Sequence, residues 1–142
     1  MELSEALDFI RGRRNGIVTA IKRDGRPQLS NISYLLGDDG KIRISVTDGR
    51  AKTANLRRDP RVSLYVGRDD FWAYVVVEGT ADLAPVSTAP NDQTADDLVA
   101  LYRGLAGEHP NWDEYRAAMV ADRRTVLTIS PQRAYGMLTN TG

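Results

Sequence analysis

The sequence has no cysteine and a single histidine, His109, in 142 residues. These two scarcities exclude Cys–His and Ser–His nucleophilic pairs, dithiol redox chemistry, iron–sulfur clusters and any ordinary zinc site. A redox function would need a bound organic cofactor to carry the electrons. Long apolar runs are missing too. The longest, Phe71 to Val77, falls far short of the ~20 residues that span a bilayer as a helix. The N-terminus, Met1-Glu2-Leu3-Ser4-Glu5, is acidic where a signal peptide is basic, so the expectation is a soluble cytoplasmic protein that binds no membrane. Net charge is absent as well: 19 basic and 19 acidic residues cancel, leaving no global attraction for nucleic acid. Lysine occurs only at Lys22, Lys41 and Lys52, and this arginine-heavy usage suits a GC-rich genome.

What remains is ordinary globular material, 42% hydrophobic and 27% charged. The length suits one domain over residues 1–142 and a core that needs no disulfide or metal. Leu3, Ala6, Leu7 and Ile10 recur at helical spacing up to Asn15-Gly16, predicting an opening amphipathic helix. Ile17–Lys22, Pro27–Leu36 and Lys41–Val46 are rich in β-formers. The turn sequences Asp24-Gly25 and Gly37-Asp38-Asp39-Gly40 separate them, predicting an antiparallel meander. A short helix over Ala51–Asp59 should end before Pro60.

Strands are expected over Arg61–Gly67 and Trp72–Asp82, the second with the β-branched run Val75-Val76-Val77. A Pro- and Ser-containing loop over Pro85–Pro90 precedes two helices, one carried by Leu98, Leu101, Tyr102 and Leu105, the other by Trp112, Tyr115 and Met119. Asn111 and Glu114 form a capping box at the start of the second. A last strand, Arg124–Ile129, should stop at Pro131. Five or six closely spaced antiparallel strands with helices at two points predict a mainly β (α+β) fold, a small barrel with helical caps.

Chemistry concentrates in two places. Arg50-Ala51-Lys52-Thr53-Ala54-Asn55-Leu56-Arg57-Arg58-Asp59-Pro60-Arg61 carries five basic residues against one acid, directly after a strand. A helix N-terminus offers unpaired N–H groups and positive potential, to which Arg50, Lys52 and the Thr53 hydroxyl would add donors for an anion. A merely solvated basic face is the alternative. The strand Pro27-Gln28-Leu29-Ser30-Asn31-Ile32-Ser33 carries amides and hydroxyls on both faces, suited to the edge of a heterocycle or to a wet edge strand. His109, in a Gly/Pro loop, reads as structural, and Trp72 and Trp112 as packing or interface anchors. Asp92, Asp96 and Asp97 read as helix N-terminal acids.

Several segments together carry a resemblance. They are Asp24-Gly25-Arg26-Pro27-Gln28-Leu29-Ser30-Asn31, the Arg50–Arg61 stretch, Trp72 with Glu78-Gly79-Thr80-Ala81, and Ala100-Leu101-Tyr102-Arg103 with Ala106-Gly107-Glu108-His109. They resemble the pyridoxamine 5'-phosphate oxidase-like family of FMN-binding split β-barrels, and within it the actinobacterial branch that uses coenzyme F-420, an 8-hydroxy-5-deazaflavin. The resemblance implies a six-stranded antiparallel split barrel with flanking helices. It also implies a homodimer with cofactor sites at the subunit interface, the strand from Trp72 to Ala81 offering β-branched surface to it.

It implies further that Gln28, Leu29, Ser30 and Asn31 meet the ring and ribityl region and that Ser45 and Val46 line the neighbouring strand. Arg50, Ala51, Lys52 and Thr53 would hold the phosphate, and Trp72 would lie near the cofactor tail or the dimer seam. No metal is implied. FMN-using relatives commonly place adjacent Arg and Lys at this helix start, whereas Ala51 precedes Lys52 here. The deazaflavin tail wants cations spread along a groove, for which Arg50, Lys52, Arg57, Arg58 and Arg61 are candidates. The implied activity is hydride transfer from the reduced deazaflavin to an electron-poor small molecule, with an FMN-dependent enzyme or a non-enzymatic deazaflavin carrier as alternatives.

Overall fold

A computed structural model describes residues 1–138. Helix α1 (Leu3–Ile10) buries Ala6 and Ile10 and leads into β1 (Asn15–Ile21), which pairs with β2 (Pro27–Ser33) through the Asp24-Gly25 turn. The second turn sequence joins β3 (Leu35–Leu36) to β4 (Ile42–Thr47). Both hairpins form where turn chemistry places them, but the meander does not. The sheet has seven strands, not six, in the order β2-β1-β5-β6-β7-β4-β3, with β5 (Arg61–Gly67), β6 (Tyr74–Leu83) and β7 (Arg124–Met137) between the two hairpins.

The single run expected over Pro27–Leu36 breaks at Tyr34. Its side chain is fully buried and its hydroxyl donates to the Ile10 carbonyl at 2.7 Å, while its N–H bonds the Arg14 carbonyl at 2.8 Å. The chain is thereby turned away from β1 and carried across to the opposite end of the sheet. The sheet curls into a half-barrel around Val18, Ile42, Ile44, Leu64, Val66, Val75, Val77, Leu127 and Ile129, with α1 and Leu56 of α2 (Ala51–Arg58) packed into the same core. Where the curl brings β2 toward β4 the two do not hydrogen-bond; each is paired on its far side only, over Pro27–Ser33 to β1 and over Ile44–Thr47 to β7. The barrel is therefore split there, with two strand edges facing one another.

Two other boundaries move. β7 runs through Pro131 instead of stopping at it, because Gly79 of β6 opposes Pro131 at a register shift, a position where a missing N–H is tolerated. A Cβ at Gly79 would drive into the Ser130 carbonyl, so the close approach requires glycine. Trp72 does not begin a strand: it lies in the β5–β6 turn after Phe71, whose φ is 73°, and both rings are exposed. Helices α3 (Gln93–Ala106) and α4 (Trp112–Ala121) form a hairpin over the outer faces of β7 and β4, capped by Asp92 and Asn111. Among the described residues no helix is long and apolar enough to cross a membrane.

Candidate functional site

The split between β2 and β4 opens on the N-terminus of α2. Gln28, Ser30, Ser45, Val46, Thr47, Arg50, Ala51, Lys52 and Arg124 line a cavity of about 390 Å³ there. Seven of the residues expected at a cofactor are thus brought together. Period-two alternation of β2 explains which ones: Gln28 and Ser30 share the half-buried face, while Leu29 and Asn31 point out to the opposite, exposed face. Leu29 is outside this cavity, and Asn31 lines a different groove with Tyr65 and Phe71. Thr53 is fully buried and its hydroxyl donates to the Thr47 carbonyl at 2.8 Å, so it braces the helix from beneath and has no proton left for an anion. Trp72 lies at the β5–β6 turn, outside the cavity lining.

The cavity is cationic and incompletely satisfied. Arg50 is the N-cap of α2, no side chain caps it, and no acid stands in the first turn, leaving first-turn N–H groups free for an anion. Burial pushes the Lys52 ammonium below its ordinary pKa, and the nearby charges of Arg50 and Arg124 push it further the same way. Across the split, the Gln28 amide donates to Ser30 Oγ at 2.9 Å, yet its buried Oε1 has no hydrogen-bond partner. Arg124 Nε is buried and unpartnered in the same way, and its Nη1 reaches only Ser45 Oγ at 3.4 Å. A buried polar atom without a partner costs free energy, and two residues lining one cavity each carry one, an acceptor and a donor, which points to a ligand carrying both.

Other expected cations are committed elsewhere. Arg57 pairs with Asp48, Arg58 with the Ile21 carbonyl and Asn55, and Arg61 with Asp59 at 2.7 Å. They do not line the cavity, because they sit on the last turn of α2 and beyond it. Arg124 takes their place. Sequence reasoning marked it only as a strand start, since its approach to Ser45 depends on the β4–β7 register, which pairs Thr47 with Arg124 and Ser45 with Val126.

A second cavity, about 440 Å³, shares the lining residues Ser45 and Arg124 with the first and is walled by residues of the α3–α4 hairpin. Beside it, Tyr102, His109, Trp112 and Tyr115 pack into one cluster with ring centroids 5.0 to 5.7 Å apart. His109 Nδ1 accepts from the Asn111 N–H at 2.9 Å, and Trp112 Nε1 donates to Glu108 at 2.9 Å. The histidine and this tryptophan therefore hold the helix hairpin together.

The chain belongs to the pyridoxamine 5'-phosphate oxidase family, whose model matches residues 3–138. Solved structures share its fold. A conserved hypothetical protein of Mycobacterium tuberculosis is 24% identical with a TM-score of 0.73, the match covering 96% of this chain and 84% of that one. An F-420 reductase is 22% identical with a TM-score of 0.69, covering 90% and 94%. General Stress Protein 26 of Bacillus anthracis is 22% identical with a TM-score of 0.61, covering 96% and 95%. At these identities the likeness carries the fold alone.

Proposed function

We propose that this family member is a coenzyme F-420-dependent oxidoreductase. The observation that carries the reading is the meeting, in one cavity, of an acid-free helix N-terminus with the orphaned Gln28 Oε1 and Arg124 Nε. The donor set fits a phosphorylated heterocycle. Arg50, Lys52 and the first-turn N–H groups of α2 would hold the phosphate. Gln28 Oε1 would accept from a ring N–H, and the free edges of β2 and β4 would flank the ring plane. Bound there in reduced form, a deazaflavin supplies a hydride for an electron-poor acceptor. The chain's own residues bind, orient and exclude water; among those lining the cavity none is a nucleophile activated by a neighbouring base.

Support for the deazaflavin over FMN comes from where the cations lie. Arg50, Lys52 and Arg124 are spread around the cavity, and none belongs to an ion pair among the described residues, an arrangement suited to an elongated anion. Titration calorimetry with each cofactor tests the reading. The expected result is tighter binding of the deazaflavin. Equal or tighter FMN binding, with yellow flavin retained through purification, replaces the proposal with an FMN-dependent enzyme. Deazaflavin binding without turnover against any acceptor replaces it with a carrier.

The proposal includes a second copy of the chain and a cytoplasmic setting. The register runs Asn31, Ile17, Tyr65, Val76 and Tyr135 in one row across the outer face of five strands, and Leu29, Phe71, Trp72, Tyr135 and Met137 are exposed nearby. Val75 and Val77 are not part of this surface: they point into the core, so the apolar character expected of the β-branched run comes instead from aromatic side chains and Met137. The exposed apolar side chains on this face support pairing with a second copy of the chain.

A further inference from the structure

The α3–α4 cavity has a composition unlike the cationic one it adjoins. Leu101, Leu105, Met119, Tyr102 and Tyr115 supply apolar and aromatic walls, and the charged residues lining it are Arg14 and Arg124, with no carboxylate among them. Neither arginine forms an ion pair among the described residues. The Tyr115 hydroxyl donates to the Leu98 carbonyl at 3.1 Å. A mainly apolar cavity of this volume, whose lining includes two arginines outside any ion pair, selects a flat apolar body with one negative end. The cofactor's own polar, multiply charged tail suits such walls poorly, because burying unpaired polar groups is costly.

We infer that this cavity is the acceptor site of the proposed reductase and that it takes planar conjugated carboxylates. The inference rests on the reading of the neighbouring cavity as a cofactor site. It places acceptor and cofactor side by side, meeting at Ser45 and Arg124. Arg14 lines the acceptor side and not the cofactor side, and so separates the two functions.

The test uses trans-cinnamate as probe and cinnamyl alcohol as its uncharged counterpart. Trp112 is the reporter in a Trp72→Phe background, because its ring lies 5.7 and 5.6 Å from those of Tyr102 and Tyr115, both in the cavity wall. Cinnamate is expected to change Trp112 emission saturably and to bind roughly ten- to a hundredfold more tightly than the alcohol, the range for a charge-assisted pair. Arg14→Leu should remove most of that preference while leaving deazaflavin binding, read by the cofactor's own fluorescence, unchanged. Ala106→Phe, at an exposed position on the cavity rim, should block cinnamate without unfolding the protein, as checked by circular dichroism.

Equal binding of acid and alcohol, or cinnamate binding that survives both substitutions, overturns the inference. Mutual exclusion of cinnamate and deazaflavin also overturns it, since the cavity would then hold part of the cofactor. Failure of the cofactor reading looks different: cinnamate binds as described and the deazaflavin does not bind at all.

Discussion

Tyr34 donates its hydroxyl proton to the carbonyl of Ile10, the last residue of α1, across 2.7 Å of fully buried space. The bond ties the first helix to the point where the chain leaves β2 for β3. Tyr34→Phe removes one of the two hydrogen bonds to the Ile10 carbonyl, which keeps the Arg13 N–H at 3.1 Å, and should cost roughly 0.5 to 1.5 kcal/mol in urea denaturation. Burial also raises the Tyr34 pKa well above the ordinary 10.0, more than the nearby Arg13 lowers it. The folded protein therefore holds this proton where the unfolded chain has lost it, so the associated stability is complete below pH 10.0 and drains away as pH rises further. Tyrosinate absorbance should show a tyrosine that ionises only on alkaline unfolding, and Tyr34→Phe should delete that step. An unchanged titration would place the hydroxyl in contact with solvent.

Lys52→Ala should weaken deazaflavin binding by roughly ten- to a hundredfold, the loss of one charge-assisted hydrogen bond. Stability should not fall, because the ammonium is partly desolvated and repelled by Arg50 and Arg124. For the same reason, affinity should begin to decline with rising pH before the ordinary lysine value of 10.5 is reached, and Lys52→Arg should remove that decline. Lys22→Ala, beside the first hairpin turn, is the control. Wild-type binding by Lys52→Ala together with weakened binding by Lys22→Ala would put the phosphate elsewhere.

Gln28→Leu replaces the orphaned acceptor by an apolar side chain of similar size. Removing an unsatisfied buried acceptor offsets the loss of the Gln28 amide bond to Ser30 Oγ and should leave the fold about as stable, while losing a ring contact worth roughly 1 kcal/mol, about fivefold in dissociation constant. Thermal melting and cofactor titration of the same preparation separate the two effects. Undiminished affinity would mean that Gln28 Oε1 meets no ring donor.

Tyr135→Glu puts a charge at the β7 end of the outer row, on an exposed aromatic position, and should convert a dimer to a monomer by light scattering. Stable interfaces bury about 1,200 to 2,000 Å² in total, so the wild-type dimer should persist on dilution. A wild-type monomer that still binds the deazaflavin with full affinity refutes a shared cleft.

Asp92 accepts from the backbone N–H groups of Ala95, Thr88 and Ala89 and from the Ser87 hydroxyl. Burial opposes its ionisation, but these bonds outweigh it and hold the carboxyl below the usual 3.8. A depressed acid contributes stability above its unfolded pKa and loses it as pH falls through the folded value. Asp92→Ala should cost about 1 to 2 kcal/mol at neutral pH and flatten the stability profile below pH 3.8. A variant as stable as wild type would show that the α3 N-terminus needs no cap.

Much of the local structure could be read from the residues alone. Turn sequences at Asp24-Gly25 and Gly37–Gly40 placed both hairpins, Asn111 and Glu114 placed the start of α4, and the basic run placed an uncapped helix with Lys52 in its first turn. These features depend on backbone preferences within a few residues, which is why a sequence carries them. Strand alternation in β2 was equally legible, and followed strictly it would have separated Gln28 and Ser30 from Leu29 and Asn31.

Pairing partners were another matter. β4 meets β7 and not β2, and Arg124 reaches Ser45 across a separation of 79 residues. The burial of Tyr34, the passage of β7 through Pro131 and the capture of Arg57 by Asp48 and of Arg58 by the Ile21 carbonyl are likewise outcomes of packing. Local residue order is enough to say which elements form and which helix carries a cationic end. Which faces and free edges those elements turn toward one another follows from packing. Register and curl are set by the summed burial of residues far apart in the chain, and no local preference contains that sum.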